Sequence, residues 1–570
     1  MFSEFGVKFF LVLISSCFAA GIITQDTGMT MTIPLNKTTT SDNKEIYGDF
    51  MRLNGSTTVQ VNFENIGANL SFVVFQVHSQ YHNITLYQNV ESRATKVTGT
   101  NIGLVSVIRD TQNNLLKPDT FYIQNLNLNT TVLIYISVHG YNSTDPIPGG
   151  CNMEFPINIT SYMMVRTNRN YITVDAAPAS IDPSCTAVNF ANVTFYMMYL
   201  PEQNFYEDDY FSGIRRMMTL DNIVTYGSEI PMTYLPMRRL LSTYSGIGVV
   251  FVAVARTMSG LNLTPGYSIY VPNHSYGCEK ADENGCAFSD DMLAELFCTT
   301  LFFFGLFLSF FGHRFFKTEM FLAGFFSGFL ISYVLINILD LEIDLSALVF
   351  ASALSGLFFG AIWLLFWWLY GFPVIAVLLP VLNFGFLVSS ILYYRLPVDV
   401  LYLQHDFNFW SLFIMVMCVT AVAMVPVTYS ANIISCAVLG GFGTTYAFDY
   451  FMGSSLRYIL INTLRRAVVP MFNKVVLAPP FQWRDLVVTL SWILVAWLGW
   501  TFQMWHNYGR PPFPPPPRNT REAAPDSFSS YGAVSSPTRP ARNPSTNPYL
   551  TISPAGPGNV NERSPLIRVS

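Results

Sequence analysis

The pattern of hydrophobic and polar residues changes near residue 290. Before that point, short runs of β-branched and aromatic residues alternate with turns rich in Gly, Pro, Asn and Asp, as in residues 70–78, 121–126, 132–139, 193–200 and 248–255. This pattern predicts antiparallel strands packed as β-sandwich modules. The span is long for one sandwich, so we expect two β-rich modules, at residues 21–165 and 166–290, with one helical patch near residues 208–220 on the second.

After residue 290 the chain contains five windows without charged residues or His, at 296–312, 320–339, 345–394, 407–448 and 486–505. Three of them fit one helix each. The window 345–394 would form a helix of about 75 Å at 1.5 Å per residue, more than twice the ~30 Å hydrocarbon thickness. It should therefore turn near residues 371–373, and the window 407–448 should divide around 428–431. The pattern predicts seven transmembrane helices within residues 292–505, a multi-pass α-helical membrane protein with an all-β N-terminal ectodomain.

Close helix packing is expected inside this bundle. Residues 324–328 and 356–360 both have the GxxxG pattern, and small residues let membrane helices approach each other. Packing within the bundle is the favoured use of these glycines, and an oligomer contact is the alternative.

The first residues have the form of a secretory signal. Residues 1–8 are polar with one positive charge, an apolar run follows, and small residues stand near Ala19 and Gly21. This predicts a signal peptide at residues 1–20. An uncleaved anchor is the alternative, although the apolar run is too short to span a bilayer.

Composition and charge exclude some classes of protein. Charged residues make up 12% of the 570 residues and hydrophobic residues 51%, with a formal net charge of −5. Soluble domains carry about 25% charged residues, so an ordinary cytosolic enzyme is excluded. The absence of a basic run also argues against a nucleic-acid partner, whereas the lipid bilayer is an expected one.

The glycosylation sequons divide the chain in the same way as the hydrophobic pattern. Every Asn-x-Ser/Thr sequon lies before residue 290, which predicts a glycosylated half and a protected half. The sequons are at Asn36, Asn54, Asn69, Asn83, Asn129, Asn142, Asn158, Asn192, Asn262 and Asn273.

Seven spans place the two ends of the mature chain on opposite faces of the membrane. The basic connector 313–317 should be cytosolic and the acidic connector 340–344 lumenal, in accord with the positive-inside tendency. The segment 449–485 does not fit, because it contains Arg457, Arg465, Arg466, Lys474 and Arg484 but should lie outside. Residues 456–464 could form an amphipathic helix at the interface; the alternative is a re-entrant or miscounted span.

The cysteines predict disulfides in the ectodomain. Once the signal peptide is removed, this half keeps Cys151, Cys185, Cys278 and Cys286, an even number in an oxidising compartment. Three pairings are possible. We favour Cys151 with Cys185 and Cys278 with Cys286, because the second pair closes a short polar loop.

Catalytic chemistry is not indicated. No serine-hydrolase, zinc-protease, Walker or dinucleotide motif occurs, so we expect no catalytic residue, no cofactor and no metal site. His78 and His82 lie in a strand pattern, where residues four apart are too distant to share a metal. A transporter for a neutral solute is the main rival interpretation, because Pro380 and Asn383 could interrupt a helix around a substrate.

The tail, residues 506–570, is rich in Pro and should be disordered. It contains two sequence motifs that are typical of clathrin-adaptor sorting signals. One is an acidic dileucine motif with Glu562, Leu566 and Ile567, and the other is a tyrosine motif with Tyr549 and Ile552. These motifs predict adaptor complexes as cytosolic partners.

Several segments resemble a known family. Residues 75–81, 145–155, 310–319 and 509–513 are similar in order to stretches of the transmembrane 7 superfamily member 3 family, and the membrane part is similar to the transmembrane protein 198 group. The resemblance implies a signal peptide, a glycosylated ectodomain and seven spans. It also implies a role in cell survival and in the response to unfolded-protein or cytokine stress, without a defined biochemical activity.

These observations together predict a non-enzymatic receptor or scaffold. Its ectodomain would bind a partner that the sequence does not identify, while its tail directs cycling between the cell membrane and the endosome or lysosome.

Overall fold

The computed structural model describes residues 29–36, 43–88, 96–108, 120–149, 163–181, 191–233, 235–257, 266–279, 281–282, 285–286, 292–339, 343–396 and 401–514. The predicted signal peptide lies outside these residues, as do Cys151, Cys185, Asn158, Asn262 and the five sorting residues of the tail.

The described part of the first β-module contains nine strands. They are β1 (Met29–Pro34), β2 (Glu45–Leu53), β3 (Thr58–Glu64), β4 (Phe72–His78), β5 (Ile84–Gln88), β6 (Lys96–Gly99), β7 (Asn101–Val107), β8 (Phe121–Gln124) and β9 (Val132–Tyr141). One sheet has the order β1-β3-β8-β5-β6 and the other β2-β9-β4-β7. Apolar side chains of both sheets form one core, which makes this module a β-sandwich.

Strand β4 is buried along its whole length. Its inner face lies in the core of the sandwich, through Phe75 and Val77. On its outer face, Phe72 and Val74 pack with Val271, which belongs to the second module. Burial on both faces explains why β4 is almost continuously apolar instead of alternating.

The second β-module has ten strands and two helices among the residues that the structure describes. The strands are β10 (Met163–Thr167), β11 (Tyr171–Ala176), β12 (Asn192–Glu202), β13 (Ser228–Ile230), β14 (Arg238–Ser242), β15 (Ile247–Arg256), β16 (Tyr267–Ile269), β17 (Asn273–Ser275), β18 (Ala281–Asp282) and β19 (Gly285–Cys286). The sheets have the orders β10-β11-β14 and β13-β12-β15-β16, with β17 also paired to β15, and β18 pairs with β19. The module boundary predicted near residue 165 falls inside β10, which pairs with β11.

The helical patch predicted near residues 208–220 is present. It forms α1 (Glu207–Arg216) and α2 (Leu220–Tyr226). Three acidic residues in the first turn of α1 and two arginines in its last turn suit the helix dipole. Tyr210 and Phe211 on one face of α1 pack with β12 and β15.

Within the described residues, seven long helices form the membrane bundle. They are α3 (Met292–Phe311), α4 (Phe316–Ile338), α5 (Leu345–Tyr370), α6 (Pro373–Arg395), α7 (Asp406–Met424), α8 (Thr428–Met452) and α10 (Trp483–His506), and the shorter α9 (Tyr458–Val468) precedes the last of them. Six described stretches are long and apolar enough to cross a membrane, and one of these, Asp406–Met452, has 47 residues. A single helix of that length would measure about 70 Å, and the structure divides it at Val425–Val427 into α7 and α8. The predicted multi-pass fold with a β-rich ectodomain is confirmed.

Successive helices cross the bundle in alternating directions. At the end away from the ectodomain, Phe316 at the start of α4 packs with Trp367 near the end of α5, Val377 near the start of α6 and Ala421 near the end of α7. At the other end, Gln482 immediately before α10 contacts the second β-module. The bundle therefore begins at the ectodomain face and ends at the opposite face, where residue 506 leads into the tail.

The GxxxG glycines lie at the crossing of α4 and α5. A Cβ atom on Gly324 would lie 2.8 Å from the Cα atom of Gly360, and one on Gly360 would lie 2.7 Å from the backbone oxygen of Phe321. These distances are too short for any side chain, so the two helices pack backbone to backbone. The structure uses both motifs for packing within the chain.

The basic segment between α8 and α10 is docked on the ectodomain. The Val476 amide donates a hydrogen bond to the Leu240 carbonyl at 2.7 Å, and the Ser242 amide donates to the Val476 carbonyl at 3.1 Å, so this segment extends the sheet edge at β14. Its basic side chains have local partners, including Asp406 for Arg466 at 2.8 Å. The segment therefore lies on the ectodomain side, as the seven-span arrangement requires, and the predicted amphipathic helix at 456–464 corresponds to α9.

Candidate functional site: a membrane cavity beneath the docked ectodomain

A cavity of about 270 Å³ lies inside the bundle. Its walls come from α3, α4, α6 and α8, and three apolar residues of α9 close it on the ectodomain side: Leu460, Ile461 and Leu464. Leu and Phe side chains make up most of the lining. The lining residues with polar side chains are Glu319, Asn383, Ser435, Cys436 and Tyr446.

A cluster of polar side chains forms one end of this cavity. Glu319 lies one turn inside α4 and is 3% exposed. Asn432 of α8 donates a hydrogen bond from Nδ2 to Glu319 Oε2 at 2.8 Å, and the same nitrogen lies 3.0 Å from His313 Nδ1. Among the described residues, Glu319 Oε1, Asn432 Oδ1 and Ser435 Oγ are buried without a hydrogen-bond partner. Such unsatisfied buried groups are costly and call for an explanation.

Hydrogen bonds from α10 hold the turn between α3 and α4, which contains His313. The His313 amide donates to Gln503 Oε1 at 3.1 Å, and Gln503 Nε2 donates to the Ser309 carbonyl at 2.6 Å. Gln503 is itself buried. The position of Glu319 is therefore set by contacts from α3, α8 and α10.

Asn383, which the sequence suggested as a transport residue, lines the cavity but is engaged in helix packing. Its Oδ1 accepts a hydrogen bond from Ser327 Oγ at 2.7 Å, and its Nδ2 donates to the Ala323 carbonyl at 3.2 Å. Both groups belong to α4. The amide thus holds α6 against α4 beside the cavity.

A hydrogen-bonded junction joins the ectodomain to the bundle above the cavity. Gln482 receives a hydrogen bond from the Glu202 amide at 3.0 Å and donates one to the Leu200 carbonyl at 2.8 Å. Asp485, in the first turn of α10, accepts a bond from the Ser455 amide at 2.6 Å. Burial, with the neighbouring Asp485 carboxylate, raises the pKa of Glu202 to about 8.

A second part of the junction is formed by α9. Ser242 at the end of β14 donates a hydrogen bond to Asn462 Oδ1 at 2.8 Å. The Arg465 guanidinium donates to the Thr243 carbonyl at 3.1 Å and to the Arg169 carbonyl at 2.7 Å. Arg465 is one of the basic residues that did not fit the predicted topology. In the structure it connects α9 to two loops of the second β-module.

The two β-modules meet at a cluster of histidines, of which His78 is fully buried and His274 half-buried. His78 Nδ1 lies 2.8 Å from Asn101 Oδ1, and Asn101 Nδ2 lies 2.7 Å from His274 Nδ1 in the second module. Tyr210 donates to Asn101 Oδ1 at 2.7 Å. His82 is half-buried on a turn, so the structure does not bring it together with His78 as a metal site, and no group of three metal-binding side chains occurs among the described residues.

Most sequons within the described ranges are exposed. Six are at exposed positions: Asn36, Asn54, Asn69, Asn83, Asn129 and Asn192. Asn142 and Asn273 are half-buried, and Asn273 belongs to β17, where its Oδ1 accepts a hydrogen bond from the His274 amide at 2.9 Å. Use of these sites for glycosylation stays a prediction.

Cys278 and Cys286 form a disulfide, the pairing favoured from the sequence. It closes the small hairpin of β18 and β19. The partners proposed for the other pair, Cys151 and Cys185, are outside the described residues.

Glu319, Gln482 and Asn462 are candidate functional residues that the sequence pattern did not predict. Glu319 stands immediately before the uncharged window 320–339, so the sequence places it outside the predicted span, whereas α4 begins at Phe316 and contains it in its first turn. The sequence offered one signal for Glu319, namely its position immediately before a long apolar run. Nothing in the sequence marks Gln482 or Asn462, because their partners are more than 200 residues away.

Comparison with known proteins agrees with this architecture. Residues 40–141 match the TM7SF3-like, N-terminal immunoglobulin-like domain, residues 146–281 match the second immunoglobulin-like domain, and residues 298–504 match the TM7S3/TM198-like domain. The chain is 30% identical over 485 residues to transmembrane 7 superfamily member 3 of Mus musculus, covering 82% of this chain and 84% of that protein. The Homo sapiens protein of the same name is 29% identical over 489 residues, covering 82% and 83%. The chain therefore belongs to the transmembrane 7 superfamily member 3 family.

Proposed function

We propose that this protein is a non-enzymatic, glycosylated seven-span receptor or scaffold whose ectodomain binds a lumenal or extracellular partner. The main observation in support of this proposal is that the second β-module is docked on the segment between α8 and α10. The module contacts the bundle through Gln482, Asn462 and Arg465 and through the backbone of Val476. Gln482 lies at the start of α10, which crosses the membrane, and the other three lie in α9 and the segment that follows it.

Such a junction transmits a change in the ectodomain to the bundle. Gln482 precedes α10 directly and forms a capping box with Asp485. At the opposite end of the same helix, Gln503 holds the turn before α4. A displacement of the β-module that moves α10 would therefore reach the face from which the tail emerges.

The receptor proposal is tested by weakening the junction in the full-length protein. Arg465→Ala removes the bonds to the Thr243 and Arg169 carbonyls, and Arg52→Ala removes an exposed arginine from β2 as the matched control. With a proximity-labelling enzyme fused behind Ser570, we expect Arg465→Ala to change the set of labelled cytosolic proteins at equal surface abundance. The same set for Arg465→Ala, Arg52→Ala and wild type would refute the coupling.

The tail supplies the trafficking part of the proposal. Glu562 with Leu566 and Ile567, and Tyr549 with Ile552, would recruit clathrin adaptors and cycle the protein between the cell membrane and endolysosomes. Replacing Leu566 and Ile567 with Ala should raise surface abundance, whereas Val560→Ala with Val569→Ala is the matched control. Unchanged distribution of the dileucine variant would contradict the sorting function. A role in cell survival under stress remains an expectation from the family resemblance.

Transport of a neutral solute is the second candidate, and the cavity beside Pro380 and Asn383 favours it. This candidate requires solute flux in proteoliposomes that is lost on Asn383→Leu. Leu392→Ala serves as a control on the same helix, because Leu392 is exposed and absent from the lining of the cavity.

A further inference from the structure

The cavity is elongated along the bundle. Its lining extends from Phe297 to Leu308 on α3, from Glu319 to Leu330 on α4 and from Ser435 to Tyr446 on α8. Each stretch rises by about 16 Å at 1.5 Å per residue. The hydrocarbon core of a bilayer is about 30 Å thick and contains two layers of acyl chains. The length of the cavity therefore matches that of one acyl chain in a single layer.

The cavity opens sideways toward the lipid. Beyond the turn that joins them, α3 packs on α8 and α10, whereas α4 packs on α5 and α6. The two helices diverge, and Phe297 and Phe304 line the cavity while being 47% and 51% exposed on the outside of the bundle. An occupant can therefore pass between α3 and α4 from the bilayer.

The polar end sets the chemistry of the occupant. Glu319 Oε1 and Asn432 Oδ1 are hydrogen-bond acceptors, and Ser435 Oγ can accept as well; all three are buried without a partner among the residues described. The donors beside the Glu319 carboxyl, the Asn432 amide and the Cys436 thiol, are neutral. A buried carboxylate oxygen that lacks its own partner is costly, and a further hydrogen-bond donor at Oε1 would relieve that cost. A cationic donor would also pair with the carboxylate.

We propose that this cavity binds a single-chain lipid whose head group carries a primary amine, with the amine at Glu319 and the aliphatic chain between α3, α4 and α8. The chain of the ligand would fill the part of the cavity lined by Leu and Phe and end below Leu464 of α9. This site does not depend on the receptor proposal, because it needs neither an ectodomain partner nor the tail.

The binding test uses the full-length protein in lipid nanodiscs and a photoreactive long-chain aliphatic amine. We expect saturable labelling, competed by the unlabelled amine and at least tenfold less well by the fatty acid of the same chain length. Equal competition by amine and fatty acid would overturn the assignment of the head group. Labelling that does not saturate would show partition into the lipid only and would overturn the site.

Two variants locate the ligand. Glu319→Gln should weaken amine binding by about tenfold, the value of one charge-assisted bond, while Glu295→Gln, at an exposed position on α3, should leave it unchanged. Gly443→Leu places a side chain in the cavity, where a Cβ atom would lie 3.6 Å from Leu301, an ordinary contact. It should abolish labelling, whereas Ala423→Leu on the outer face of α7 should not. Full labelling of Gly443→Leu, or equal affinity in Glu319→Gln and wild type, would overturn the proposal.

Discussion

Acidification should destabilise the ectodomain through three histidines. His78 and His139 are fully buried in the first β-module, and His274 is half-buried in the second, in the region where the modules meet. Burial lowers the pKa of His78 to about 4, against an opposing hydrogen bond to Asn101. Burial likewise lowers the pKa of His139 to about 4, although Glu45 opposes the shift, and lowers that of His274 to about 3 with a contribution from His78.

The sign of the effect follows from proton binding in the two states. Histidine in an unfolded chain titrates near pH 6.5, so between pH 6.5 and about 4 the unfolded chain binds protons that the folded ectodomain does not. Stability then falls as the pH falls through this window. From pH 7 to pH 5, each histidine removes about 2 kcal/mol, and the three together roughly 6 kcal/mol. This loss is comparable with the whole stability of a typical domain, about 5–15 kcal/mol.

The assay is pulse proteolysis of the ectodomain in the full-length protein across a urea series at pH 7 and pH 5. His139→Leu is the informative variant, because both ring nitrogens of His139 are buried without a hydrogen-bond partner in the described structure. The variant should lose about one third of the pH dependence, near 2 kcal/mol, with no loss of stability at pH 7. His82→Leu is the matched control, because it also removes one imidazole but at a half-buried position on a turn. Equal urea midpoints for wild type at the two pH values would refute the reasoning.

Three further predictions follow from the packing. Gly360→Leu should destabilise the bundle by about 1–3 kcal/mol, because its Cβ atom would lie 2.7 Å from a backbone oxygen of α4; an unchanged melting temperature in detergent would contradict the close crossing. Asn54→Gln should increase the electrophoretic mobility of the glycoprotein, whereas Asn273→Gln should not, because the second side chain is hydrogen-bonded within a paired strand; a glycan at Asn273 would show this to be wrong. Lys44→Met should cost about 3–5 kcal/mol, because it removes the cation 2.9 Å from the buried Asp145 carboxylate. Urea unfolding at pH 7 measures that loss, and a smaller change than for Lys96→Met would count against it.

The sequence by itself determined the elements and their order. Strand runs, uncharged windows and the position of the charged connectors are local signals, and they were sufficient for a β-rich ectodomain followed by seven membrane helices. The same local information placed the helical patch at α1, the break between α7 and α8, and the glycines that face each other on α4 and α5.

The tertiary structure alone decided what surrounds those elements. The arginines between α8 and α10 appeared in sequence as a violation of the charge rule, because that rule counts charges without knowing their partners; Arg465 and Arg466 instead bond to a loop of the ectodomain and to Asp406. The sequence places Glu319 just outside the predicted span 320–339, whereas in the structure it lies in the first turn of α4, at the end of a cavity formed by helices far apart in the chain. Burial and pairing depend on contacts between residues separated by hundreds of positions, which hydrophobic periodicity does not record.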